Sequence, residues 1–353
     1  MVIQEFGAIA FRNYQEVFVT FSGSINIFIG GNGQGKTNLA EGIYFLTHLS
    51  SFRTPRLAPL VNDGQSRAYL QGSVIKSDLH QVPRVELSDG GRRAWLDGRP
   101  VPTLSAYLSL FYSLLFNPDS LYNYRHVPAE RRQLFDRFIS FLNGEYLAAI
   151  RSFRAALSQK NSLLKSRDYS TLPEWNQLLI ENSCVMIKER AVLVEKVNTF
   201  LPELFSRLTG RKERLRMAYR PSLQGDPAQD GERLHKAMER EVMAGHALYG
   251  PHRDDYRMAL GSQEDDLLSQ GEYRAALLAL KLALNELMSE RATFRPVLIL
   301  DDLYSELDGE VRARLSEHLK SLPNQVFITT TESPEALHIP GEHTMEIRQG
   351  RIV

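Results

Sequence analysis

Apolar residues follow two different periods along this chain. Up to about residue 116 they alternate or gather in short runs, as in Val17-Phe18-Val19-Thr20-Phe21, Ile25-Asn26-Ile27-Phe28-Ile29 and Tyr112-Ser113-Leu114-Leu115-Phe116, which are strand patterns. Between Ala68 and Leu96 the runs are punctuated by Asp89-Gly90 and followed by Asp97-Gly98, the turn chemistry of antiparallel hairpins. After Pro128 the period becomes 3.6. Phe135, Ile139, Leu142, Tyr146, Ile150, Phe153 and Leu157 stand at steps of three and four, one helix stripe with a break expected at Asn143-Gly144. A second helix is predicted from Pro173 to about Leu204, and a loop over 221–231, where Pro221, Gly225, Asp226-Pro227 and Gly231 cluster. From Leu268 to about Met288 the residues are apolar nearly all round, which predicts a buried helix. Continuous apolar runs return at Val297-Leu298-Ile299-Leu300 and Gln325–Thr331, as expected of core strands. The pattern predicts an α/β chain of two lobes, 1–117 with 290–353 and a helical 118–289.

The strand at Ile25–Ile29 leads into Gly30-Gly31-Asn32-Gly33-Gln34-Gly35-Lys36-Thr37, which completes the phosphate-loop pattern G-x-x-x-x-G-K-[ST]. Glycines let the backbone curl so that successive N–H groups face phosphate oxygens. Lys36 is expected at the β- and γ-phosphates and Thr37 on Mg²⁺, with a helix from Asn38 to Leu49 directing its positive end at the anion. A second element is Asp301-Asp302, closing the apolar run that follows Pro296. A carboxylate at the end of a core strand lies where Mg²⁺ needs oxygen, so Asp301 is assigned to the metal and Asp302 to polarising the attacking water. A third is Leu268-Ser269-Gln270-Gly271-Glu272, opening the apolar helix. Its serine hydroxyl and glycine N–H form a further anion site, or else an ordinary serine cap. One triphosphate does not need two such sites in one chain, but two chains could share them.

Composition restricts the partners. The chain has 353 residues, 43% hydrophobic, long enough for about two domains. No apolar run approaches the ~18 residues that span a bilayer, and the start Met1-Val2-Ile3-Gln4-Glu5 lacks the basic opening of a signal peptide. A cytoplasmic setting is expected, with the single Cys184 packed rather than paired. Net charge is +0, so any DNA site must be local. From Ser120 to Ser170 nine Lys/Arg face four acids, among them Arg131, Arg132, Arg151 and Arg154. From Arg207 to Arg220 six, among them Arg211 and Lys212, face Glu213 alone. Acidic residues gather at Glu264-Asp265-Asp266 and from Asp301 to Glu310.

Together these motifs resemble the ATP-binding-cassette head, and within it the RecF family of bacterial recombination and repair proteins. The resemblance covers almost the whole chain. It rests most on Phe11-Arg12-Asn13-Tyr14, Gly250-Pro251-His252-Arg253-Asp254-Asp255, Ser269-Gln270-Gly271-Glu272 and Leu300-Asp301-Asp302-Leu303-Tyr304-Ser305-Glu306-Leu307-Asp308. The stretch Pro118-Asp119 to Asp136 departs from the family pattern at His126 and Val127. The fold implied is a phosphate-loop lobe with an antiparallel β-subdomain plus a helical lobe without a long coiled coil, since about 230 residues separate the phosphate loop from the signature without sustained heptads. The resemblance also implies ATP with Mg²⁺, contacts of Arg12 and Arg53 with the nucleotide, and Ser269, Gln270 and Gly271 reaching it from a second copy. It implies an ATP-dependent homodimer on double-stranded DNA at gaps or stalled forks, and work with RecR, and RecO in the wider pathway, to load RecA. Threonine in place of a switch histidine near Thr329–Thr331, and Asp302 in place of a glutamate, imply slow hydrolysis. Asn117 is the nearest candidate for a γ-phosphate sensor. The alternative is the ATPase subunit of a membrane transporter, which expects an intact Leu-Ser-Gly-Gly-Gln signature and a switch histidine.

Overall fold

The computed structural model describes residues 1–264, 267–292, 294–339 and 343–353; Asp265 and Asp266 of the acidic cluster lie outside the described residues. The chain divides into two compact units, Met1–Leu121 with Arg207–Arg211 and Leu277–Val353, and Tyr122–Ser206 with Lys212–Ala276.

Two sheets build the first unit. Strands β1 (Val2–Phe11), β2 (Tyr14–Thr20), β4 (Arg67–Lys76), β5 (Leu79–Gln81), β6 (Pro83–Ser88), β7 (Gly91–Leu96) and β8 (Arg99–Pro100) pair antiparallel in the order β2-β1-β4-β6-β7-β8, with β5 on β4. One face alternates into the core through Phe6, Ala8, Leu70, Val85 and Ala94, so the hairpin register follows from period-two patterning. The other sheet contains β3 (Ile25–Ile29), β9 (Ser113–Phe116), β13 (Val297–Asp301), β14 (Val326–Thr330), β15 (Thr344–Arg348) and β16 (Arg351–Ile352), in the order β16-β15-β3-β14-β13-β9. It is parallel from β15 to β9, and β13 and β14 are buried at every position, as a sheet covered on both faces requires. Helix α1 (Lys36–His48) packs on both sheets, with Leu39, Ile43 and Phe45 in one core with Phe6, Phe28, Ile299 and Phe327. Short α2 (Leu104–Leu108) and α9 (Gly309–Ser321) complete this unit.

The second unit is mostly helical: α4 (Pro128–Leu142), α5 (Gly144–Ser166), most of α6 (Leu172–Thr209) and α7 (Pro227–Ala244), with a small sheet of β10 (Leu215–Arg220), β11 (Asp255–Leu260) and β12 (Gln263–Glu264). The break at Asn143-Gly144 is present. Asn143 ends α4 and caps α5, its side chain accepting from the Tyr146 N–H. The loop expected over 221–231 is shorter. Asp226 accepts from the Gln229 N–H and Pro227 takes the first turn of α7, so Asp-Pro here is a helix start rather than a breaker. Helices α3 (Pro118–His126) and α8 (Gln270–Arg291) each contribute residues to both units. Among the described residues no helix is long and apolar enough to cross a membrane.

Candidate nucleotide site and the buried hub

The phosphate loop runs from the end of β3 to the first turn of α1, and its neighbours explain its glycines. A Cβ on Gly30 would lie 2.4 Å from the Ile347 carbonyl oxygen of β15. Gly35 has φ +117, and a Cβ there would meet Asn13 Nδ2 at 2.8 Å. The β1–β2 turn clamps the loop from one side: Asn13 Nδ2 donates to Gln34 O (3.2 Å), Tyr14 Oη to Gly35 O (3.0 Å), and Asn38 Nδ2 to Asn13 Oδ1 (2.7 Å). The β15–β16 turn clamps it from the other, through Gly350 N on Gln34 O (2.9 Å) and Gln349 N on Gln34 Oε1 (2.7 Å). No side chain caps the N-terminus of α1. A helix start with uncapped N–H donors beside a lysine suits an anion. Lys36 Nζ donates to Gly30 O (2.7 Å) and Gly31 O (2.8 Å). Burial pulls its pKa down, while the charges of Asp302 and Asp301 push it up.

Asp301 ends β13 buried; the Thr329 hydroxyl donates to its carboxylate at 2.7 Å, and the Thr37 hydroxyl favours its charged form from nearby. Burial raises the Asp301 pKa, and those two hydroxyls and the Arg53 charge oppose the rise. The two groups assigned to Mg²⁺ from sequence, the Thr37 hydroxyl and the Asp301 carboxylate, are therefore close enough for the hydroxyl to act on the carboxylate charge. A hydroxyl and one carboxylate are a fitting protein share for Mg²⁺, which keeps waters and phosphate oxygens for the rest. Asp302 is exposed and takes φ +50, an uncommon conformation for a residue with a side chain; its N–H is held by Thr329 Oγ1 (2.9 Å).

Arg12 sits differently from the expectation. Its Nε and Nη2 donate to the two oxygens of Glu41 (2.8 and 2.7 Å) and its Nη1 to Pro59 O (2.9 Å), so its observed contacts are those of a strut. Glu41 is fully buried on α1 and also accepts from Ser51 Oγ and Arg53 Nη1, an anchor that sequence reasoning missed because a lone acid inside an apolar helix carries no motif. Asn117 also has a partner within the chain. It is buried, and its Oδ1 accepts from the Ser120 N–H at the start of α3, so its side chain is held as a helix cap.

In the second unit Ser269 and Glu272 form a reciprocal cap at the start of α8. The Glu272 N–H donates to Ser269 Oγ (3.2 Å) and the Ser269 N–H to Glu272 Oε2 (2.8 Å). Ser269, Gln270 and Gly271 are exposed.

The DNA candidates separate into two groups. Arg151, Arg154, Arg211 and Lys212 are exposed. Arg131 is only 1% exposed: its Nε and Nη2 grip Asp255 (2.6 and 3.0 Å) and its Nη1 donates to Tyr124 O and Arg125 O. It is withdrawn as a DNA contact, since a buried guanidinium with four internal acceptors cannot meet a phosphate. Arg132 is half-buried and donates to Asp254 O (2.8 Å), which draws it into the same network. That network gives the segment Gly250–Asp255 a job that its sequence did not disclose. Asp254, fully buried, accepts from Arg190 Nη1 (2.7 Å), the Ser222 N–H (2.8 Å) and Tyr219 Oη. Arg190 also donates to Asp136 Oδ1 (2.8 Å) and Pro251 O (2.8 Å). Arginine basicity and carboxylate charge thus join α4, α6, β10 and β11.

Comparison with known proteins agrees with this geometry. Residues 2–349 match the family model described as RecF/RecN/SMC N terminal domain. The DNA replication and repair protein RecF of Lactobacillus johnsonii (strain CNCM I-12250 / La1 / NCC 533) is 34% identical over 348 residues, covering 94% of this chain and 93% of that protein. RecF of Geobacter sp. (strain M21) is 32% identical over 358 residues, covering 98% and 97%. Among solved structures, one described as the recombination mediator protein RecF-ATP in the RecFOR pathway superposes with a TM-score of 0.90 at 26% identity, covering 100% of this chain and 97% of that one. An Smc head domain derived from Pyrococcus furiosus shares the fold, with a TM-score of 0.59 at 18% identity and coverage of 100% and 96%. A phosphate loop braced by two hairpins, a threonine–aspartate pair behind it and full-length kinship to these proteins lead to one assignment: this chain belongs to the RecF family.

Proposed function

We propose that this chain is a DNA replication and repair protein acting as a recombination mediator, switched by ATP. The observation that carries the reading is a phosphate loop with Lys36 seated on it and an uncapped helix start, with the buried Asp301 carboxylate near Thr37, in a chain whose relatives are repair proteins. The same kinship disfavours a transporter subunit. The proposed roles follow from placement. Lys36 exchanges the carbonyls of Gly30 and Gly31 for phosphate oxygens, and the loop from Gly30 to Thr37 presents N–H donors. Bound Mg²⁺ would offset phosphate charge between Thr37 and Asp301. Asp302 orients the attacking water, and Arg12 holds α1 while Arg53, whose charge is felt at Asp301, faces the nucleotide. With threonines at the end of β14 and no longer carboxylate than Asp302, hydrolysis is slow and serves release.

Ser269, Gln270 and Gly271 act on the nucleotide of a second copy. Support comes from Gly271, where a Cβ would meet nothing within 4 Å. Nothing among the described residues requires a glycine at this second position of α8, so its reason is sought outside the chain. Closure of the homodimer presents exposed cations, Arg151, Arg154, Arg211 and Lys212, to duplex DNA, and DNA in turn favours closure. RecR, with RecO, is the proposed partner set for loading RecA. Sedimentation of the full chain with Mg²⁺, with and without ATP and a DNA duplex, tests the scheme: ATP should convert a slow species into a dimer. Lys36→Met should weaken ATP binding by about 1.5–3 kcal/mol, the worth of a hydrogen bond to a charged group, and abolish the shift. A chain that stays monomeric when saturated with ATP and duplex overturns the proposal.

A further inference from the structure

Helix α7 carries a basic site that charge counting along the chain conceals. Its sequence holds four acids, Asp230, Glu232, Glu239 and Glu241, against Arg233, Lys236 and Arg240, and so reads as balanced. Folding sorts them. Asp230 is fully buried and accepts from the Gln224 N–H (2.7 Å) and the Gly225 N–H (2.9 Å). Glu241 is fully buried on Lys160 (2.7 Å). With two acids turned inward, Arg233, Lys236 and Arg240 line a cleft of about 380 Å³, closed by Gln224 before the helix and Tyr249 after it. Glu232, the acid lining it, pairs with Lys236 at 3.0 Å, but both are about 70% exposed, and such a pair is weak and readily exchanged. The walls are fixed in advance. Asp230 pins the Gln224 backbone, the Arg233 guanidinium rests 4.6 Å over the Tyr249 ring, and Ser222 Oγ holds the Gly250 N–H (2.8 Å).

We propose that this cleft grips the phosphate backbone of duplex DNA. The inference rests on the DNA-binding function proposed above and names residues for it. Arg233 to Arg240 extends about 10 Å along the helix, a row suited to successive backbone phosphates rather than to one small anion. The test is the full chain carrying Arg233→Gln and Arg240→Gln, titrated with a labelled duplex in the presence of ATP at several salt concentrations. Two lost phosphate contacts should reduce the slope of log affinity against log salt by about 2, with ATP affinity and melting temperature unchanged. An unchanged slope, in a parent chain that binds duplex, overturns the cleft alone. A parent chain without salt-dependent duplex binding overturns the DNA reading itself. Inorganic phosphate is the second arm: if it raises the melting temperature of the parent but not of the variant while the slopes coincide, the cleft holds a free anion and the proposal falls.

Discussion

At the scale of single residues, the sequence declared the phosphate-loop pattern and hid the side chains that brace it. Lys36 and Thr37 were legible because a phosphate loop fixes residue type and spacing together, and Asp301 because it closes a short apolar run. Glu41, Asp254 and Asp255 were not, because a buried carboxylate is defined by a partner far along the chain, Arg12, Arg190 or Arg131. The same blindness made Arg131 look like a surface cation. Burial pushes the Asp255 pKa up, but the Arg131 hydrogen bonds, the Tyr256 N–H and the Arg131 and Arg257 charges bring it below the ordinary carboxylate value. Arg131→Ala is therefore expected to lower unfolding free energy by about 3 kcal/mol, the low end for breaking a buried pair since Asp255 is partly exposed and keeps Arg257. Urea denaturation measures it. A change confined to DNA affinity, with stability intact, would contradict the buried assignment.

Among the elements, helix α8 joins two environments. Its first turn is exposed and capped by Ser269 and Glu272, whereas from Ala275 onward it is buried through Leu284. The apolar pattern foretold that burial but not Lys281, which lies within it. Its Nζ donates to Leu115 O (2.6 Å) at the end of β9 and to Ser120 Oγ (2.8 Å), and burial lowers its pKa to about 7. The strands of the parallel sheet were read well because β3, β13 and β14 are short, mostly apolar runs; β10 and β11 do alternate, but they are short, and β10 lies inside the basic run 207–220, which drew attention to its charge. At the signature, Ser269→Arg should leave ATP affinity within about twofold, a surface-scale effect of under 0.5 kcal/mol, and prevent dimer closure. Calorimetry and light scattering separate the two, and loss of ATP binding in this variant would place the serine in its own chain's site.

For the whole molecule, acid should loosen both units through histidine. His318 in one unit is buried and His252 in the other is half-buried, and desolvation lowers each pKa to about 4. Nearby cations act in the same direction, Arg253, Arg132 and Lys160 on His252 and Arg207 on His318, while the Ala247 carbonyl opposes the shift at His252. Both rings stay neutral when folded but take a proton near pH 6.5 when unfolded. Their contribution is present above pH 6.5 and is lost as pH falls towards 4. The melting temperature should drop across that window, and less steeply in the His252→Gln/His318→Gln variant; parallel profiles would show that other groups govern acid sensitivity. One more consequence follows from the brace that Gln349 and Gly350 apply to Gln34, 315 positions earlier for the first of them. On the ribosome the loop near residue 30 emerges long before β15 and β16, which must cross back to lie beside β3 and support it. A nascent chain should thus be blind to ATP until β15 and β16 have left the exit tunnel and paired beside β3, so nucleotide capture would wait on a segment made more than 300 residues after the loop it serves.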